Sequence, residues 1–94
     1  MSKIPGLTDE QLTLVRGSFP SGTEIKLFGS RVTGGYRTVS DLDICVLSHF
    51  LRADMDKINN LFKESNLPFA VDIFLYSDCG NDFRKVIDAT GVKL

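Results

Sequence analysis

Asp41-Leu42-Asp43-Ile44-Cys45-Val46-Leu47 is the stretch on which the reading of this chain turns. Its alternation predicts a strand with Leu42, Ile44 and Val46 on one face and Asp41, Asp43 and Cys45 on the other. Two carboxylates at i and i+2 of a strand point the same way, with Cβ atoms roughly 6–7 Å apart. Like charges held that close raise each other's pKa and cost stability, and a cation between them reverses the sign. Hard oxygen ligands on a rigid strand suit Mg²⁺ or Mn²⁺. An Asp-x-Asp alone is equally well a solvated sheet face, so the neighbouring segments must decide.

Upstream, Glu24 to Phe28 reads as a short strand running into Leu27-Phe28-Gly29-Ser30-Arg31. A glycine there lets backbone approach a ligand closely, and a helical turn starting at Ser30 would face free amides toward an anion. Arg31 and Arg37 bracket this region and carry guanidinium forks shaped for phosphate oxygens. Gly29 to Gly34 has the outer spacing of a P-loop, but Gly35-Tyr36 stands where Lys-Ser/Thr belongs, and no GxGxxG is present. Downstream, Phe69 to Leu75 predicts a third strand in which Asp72 is the only charge. A central or near-central strand rarely keeps such an Asp without a partner or ion. With the second and third strands side by side, Asp41, Asp43 and Asp72 converge as a two-metal site requires. One of the three can then orient or deprotonate an attacking hydroxyl.

The helices follow from period and punctuation. Thr8 with Gln11 forms a capping box and Leu7 with Leu12 a staple, predicting a helix from Asp9 to Gly17. Leu51, Met55, Ile58 and Phe62, with Leu61 widening the stripe, predict a long helix over His49 to Ser65. Phe83, Val86 and Ile87 predict a last helix over Asn81 to Ala89, with Gly91 as its C-cap. The order is α-β-loop-β-α-β-α: an α/β (α+β) fold, residues 1–94 forming one domain around a small three-stranded mixed sheet with packed helices.

Composition narrows the function. A chain of 94 residues buries a thin core, so a homodimer or a helical partner is expected over Leu12 and Val15, or over Phe83, Val86 and Ile87. Eleven basic against twelve acidic residues give a net charge of −1, which argues against long nucleic acid as a partner. No apolar run is long enough to span a bilayer and Met1-Ser2-Lys3-Ile4-Pro5-Gly6 lacks an apolar signal core, so the expected location is cytoplasmic. Cys45 and Cys79 have no metal-binding spacing and read as unpaired thiols.

Gly29-Ser30-Arg31, Gly34, Ser40-Asp41-Leu42-Asp43-Ile44 and Val71-Asp72-Ile73, in that order, resemble the minimal nucleotidyltransferases of the DNA polymerase beta-like superfamily. The resemblance implies that Gly29 and Ser30 contact the β- and γ-phosphates of ATP. It also implies that Asp41 and Asp43 hold two divalent ions, with Asp72 as the third acidic residue. Thr33 departs from the pattern, standing where a basic residue is frequent. Family members are commonly encoded beside a HEPN-type helical partner in pairs similar to toxin–antitoxin systems, and some transfer AMP from ATP to a tyrosine of it. The implied function is therefore a Mg-dependent protein adenylyltransferase. The alternative is a catalytically weak module that neutralises its partner by binding alone.

Overall fold

The computed structural model describes residues 4–94. The first helix, α1 (Asp9–Gly17), begins where local chemistry demands: the Gln11 amide donates to Thr8 Oγ1 and the Thr8 amide to Gln11 Oε1. Leu7 is buried behind it, with Leu12 packed against the same core. There follow β1 (Ile25–Phe28), the single turn α2 (Ser30–Thr33), β2 (Leu42–Val46), α3 (Arg52–Lys63), β3 (Val71–Leu75), α4 (Asn81–Thr90) and β4 (Val92–Lys93). The three expected strands are present, and the two-residue β4 adds a fourth beyond them.

The sheet order is β3-β2-β1-β4, with β2 antiparallel to β1 and parallel to β3. The parallel pair needs a crossover, which α3 supplies. Alternation then sorts the strands onto two faces. Ile25, Leu27, Leu42, Ile44 and Val46 join Val15 of α1 and Ile58 and Phe62 of α3 in one buried cluster. Phe28 and Cys45 pack on the opposite face with Ile87 of α4. The sheet is thus clad by α1 and α3 on one side and by α4 on part of the other.

Several expectations need correction. Helix α3 starts three residues later than the period of its stripe suggests, because Leu51 is extended and sits at the N-cap. Asp54, which accepts the Leu51 amide, anchors the start. Leu51 and Leu61 point to water, 64% and 49% exposed, so the buried stripe narrows to Ile58 and Phe62 with Met55 at its margin. Strand β3 lies at the sheet edge rather than in the middle, and Asp72 is exposed there. The residual apolar patch falls on α4, where Phe83 and Val86 remain 36% and 50% exposed, whereas Val15 and Ile87 are fully buried. Among the described residues no helix is long and apolar enough to cross a membrane.

Candidate active site

Register decides which side chains meet at the uncovered end of the second face. Phe28 pairs with Asp43 across the antiparallel ladder, and Asp43 pairs with Asp72 across the parallel one. Paired residues project to the same side of a sheet. Asp43 therefore stands between Asp72 on one strand and the start of α2 on the other. Asp41, one residue ahead of β2, is exposed beside them.

Gly29 gives Asp43 its room. Its φ of +89° lies where only glycine is comfortable, and a Cβ built there would lie 2.5 Å from Asp43 Oδ2. The same residue is the N-cap of α2, whose first bonds run from the Val32 and Thr33 amides to the Gly29 carbonyl. The amides of Ser30 and Arg31 stand outside that ladder, and Ser30 is exposed. Backbone donors and the Asp43 carboxylate thus share one corner. Gly29→Ala should strain this corner twice, through φ and through the clash. A loss of about 1–3 kcal/mol in folding stability is expected, with weaker ATP binding by calorimetry; wild-type affinity in the variant would refute a role for the corner.

Asp43 is the electrostatic centre. Burial, then the charges of Asp72 and Asp41, push its pKa up to about 6. Among the described residues no group of three or more carboxylate, thiol or imidazole side chains is gathered closely enough to hold an ion as it stands. The donor chemistry nevertheless fits a hard divalent cation: oxygen ligands only, a carboxylate destabilised by burial and by two like charges, and space kept clear by Gly29.

The raised pKa has a consequence for stability. The folded chain binds a proton at Asp43 up to about pH 6, whereas the unfolded chain releases it near 3.8. Stability from this group is thus complete below the unfolded value and lost as pH rises toward 6. A two-unit shift is nominally ~3 kcal/mol, and solvent screening brings it to ~1–2 kcal/mol. Asp43→Asn should therefore melt higher than the metal-free wild type at pH 7, with the gap closing by pH 4. An equal gap at both values would contradict this assignment.

Arg31 is the sequence candidate that the structure moves elsewhere. It is only 4% exposed, and its guanidinium donates to the carbonyls of Ser40 (2.7 Å), Gly6 (2.8 Å) and Thr38 (2.8 Å). Its guanidinium carbon also lies over the Phe69 ring, 3.8 Å from the centroid, and over the Tyr36 ring at 5.3 Å. So engaged, it has little left for phosphate and instead pins the loop that delivers Asp41. Arg37 is exposed on that loop, its amide bonded to Ser40 Oγ. Sequence reasoning missed Gly6, Phe69 and Tyr36 as parts of this support. The signal at Gly6 is its closeness to α2, since a Cβ there would meet Arg31 backbone at 2.7 Å. Spacing in the sequence carries no trace of that contact.

A nucleotidyltransferase domain model matches residues 9–90. The probable protein adenylyltransferase MntA of Haemophilus influenzae is 39% identical over 64 residues, covering 64% of this chain and 54% of that protein. The chain thus spans about half the length of that curated relative. Among solved structures, a toxin–antitoxin with AMP-PNP superposes with a TM-score of 0.64 at 25% identity, covering 87% of this chain and 67% of the other. A mutant of the MntA-HpeT toxin–antitoxin shares the fold at 24% identity, with a TM-score of 0.69 over 94% of this chain and 72% of that one.

Proposed function

The chain belongs to the nucleotidyltransferase domain family, and from that premise we propose that it moves AMP from ATP onto a tyrosine hydroxyl of a HEPN-type helical partner, as one half of a toxin–antitoxin pair. The observation that carries the reading is the pairing of Asp43 with Asp72 beside the glycine-opened corner at Gly29. The likeness to a probable protein adenylyltransferase and to a toxin–antitoxin with AMP-PNP supports both the nucleotide and the partner class.

Asp41 and Asp43, with Asp72, would hold Mg²⁺ (or Mn²⁺), two ions in the full site. Bound there, the metal supplies charge neutralisation of the triphosphate. The chain does the rest. The amides at Ser30 and Arg31, with the Ser30 hydroxyl, receive the outer phosphates, and exposed Arg37 adds positive charge nearby. Asp72, at the edge and open to solvent, is placed to accept the proton of the incoming hydroxyl. The acceptor oxygen bonds to the α-phosphorus, the bond to the β-phosphate bridge breaks, and pyrophosphate departs with that electron pair against the Gly29-Ser30 turn.

The test is label transfer. The purified chain, the product of the gene beside its own and ATP labelled at the α-phosphate are incubated with Mg²⁺ and with EDTA. Metal-dependent label on the neighbouring protein, lost on Tyr→Phe replacement in that protein, is expected. A stable complex that never takes label would replace transfer by simple masking of the partner. Asp72→Asn should lower the transfer rate more than ATP affinity, as befits a group that handles the acceptor's proton.

A further inference from the structure

Beside the carboxylates, the sheet ends at β3. The Leu42 amide donates to the Ala70 carbonyl, which turns the backbone groups of Ala70, Asp72 and Phe74 toward β2. By alternation, those of Val71, Ile73 and Leu75 face away from the sheet; the Leu75 carbonyl already accepts from Cys79 Sγ at 3.2 Å, so the open stretch of the edge runs from Val71 to the Leu75 amide. Proteins commonly guard such an edge with a proline, a lysine or a bulge. Val71-Asp72-Ile73-Phe74-Leu75 has neither residue, and its register with β2 runs unbroken.

Two cavities follow this margin. One of about 630 Å³ lies between α3, β3 and the start of α4, and one of about 360 Å³ lies at the beginning of β3. Asn59 of α3 lines both and stands between them, so the two follow the strand as halves of a trough, with Asp72 in the wall of the smaller half. Met55, Ile73, Leu75 and Phe83 make much of its lining apolar.

We propose that this trough receives the hydroxyl-bearing acceptor segment of the partner protein as an extended strand added to the edge of β3. The proposal rests on the transferase reading above and specifies how the acceptor reaches that site. Outward N–H and C=O groups in strand spacing are matched only by another extended backbone. Adjacent strands lie about 4.8 Å apart, so a side chain projecting on the Asp72 face brings its hydroxyl alongside that carboxylate. The charge pattern selects the occupant. Asp56, Asp72 and Asp78 outweigh Arg52 and Lys63 in the trough, and all five are exposed. A second copy of this acid-rich edge would meet its own like charges, whereas a segment with basic flanks complements it.

The test uses the full chain and the synthetic peptide Lys-Thr-Val-Tyr-Val-Thr-Lys, with a second version N-methylated at alternate residues. Titration followed by amide NMR should shift Val71, Ile73 and Leu75 and spare Val92 and Lys93, and the N-methylated peptide should leave all of them in place. Asn59→Arg, which fills the middle of the trough, should weaken peptide binding by about 10-fold or more while ATP affinity by calorimetry stays at the wild-type value. Shifts confined to β4, or unchanged peptide binding by Asn59→Arg, would overturn the proposal. So would concentration-dependent shifts of the same β3 amides in the chain alone, accompanied by dimerisation in the ultracentrifuge. Failure of ATP binding in the wild type would strike the transferase reading instead, and the peptide shifts would still judge the trough.

Discussion

Asp43→Asn is expected to cut AMP transfer by about three orders of magnitude, equivalent to ~4 kcal/mol of transition-state stabilisation. The substitution keeps the shape of the side chain and removes one negative charge. It falls at the only position flanked by all three elements of the site: Gly29 against its Oδ2, Asp72 across the parallel ladder and Asp41 two residues before it. The two aspartates that remain are exposed and lie on either side of the gap, so no pair of strand-held oxygens is left. Calorimetry should show Mg²⁺-dependent ATP binding by the wild type and almost none by the variant. Equal ATP affinity in Mg²⁺ and in EDTA, for either protein, would end the metal assignment. The same variant should fold more stably at neutral pH, since it removes the charge whose burial, and then its repulsion by Asp72 and Asp41, push Asp43 up to about 6. Lost activity with raised stability is the mark of a carboxylate kept for chemistry rather than for the fold.

What could be read in advance divides by the range of the forces involved. Helix α1 matches its expected bounds because Thr8 and Gln11 settle its start within one turn of chain. Strand β2 and its two faces were legible because the alternation of Leu42, Ile44 and Val46 with Asp43 and Cys45 is a purely local signal. Helix α3 begins late because Leu51 extends the hydrophobic period without finding anything to cover it. Its exposure is a property of the packed molecule. Asp72 does stand beside Asp43, but not for the reason that its sequence context suggests. An isolated charge in an apolar strand does call for an explanation, and the explanation is an edge rather than burial at the centre. Strand β4 was illegible altogether, for its two residues are fixed by pairing with Lys26 and Leu27 far back in the chain.

Arg31→Ala is expected to cost about 3 kcal/mol of folding stability, which for a domain of this size is a drop of roughly 12–24 °C in melting temperature. A phosphate-binding arginine and a loop-building one make opposite forecasts here. The first would leave the melting curve alone and weaken ATP binding. The second, which the geometry supports, removes the donors serving the Ser40, Thr38 and Gly6 carbonyls and strips a cation from the face of Phe69. Gly6 packs against α2, and its own amide donates to the Arg31 carbonyl at 2.8 Å, so the two segments are tied at this one residue from both sides. Ser40 precedes Asp41 directly, so slack in this loop frees one of the three carboxylates and nucleotide binding falls as a secondary effect. Lysine should not rescue the variant, because an ammonium cannot reach three divergent carbonyls while lying flat on a ring. Arg31→Lys should therefore melt close to the alanine variant. A lysine variant with the wild-type melting temperature, or an alanine variant that melts normally yet fails to bind ATP, would return Arg31 to the phosphates.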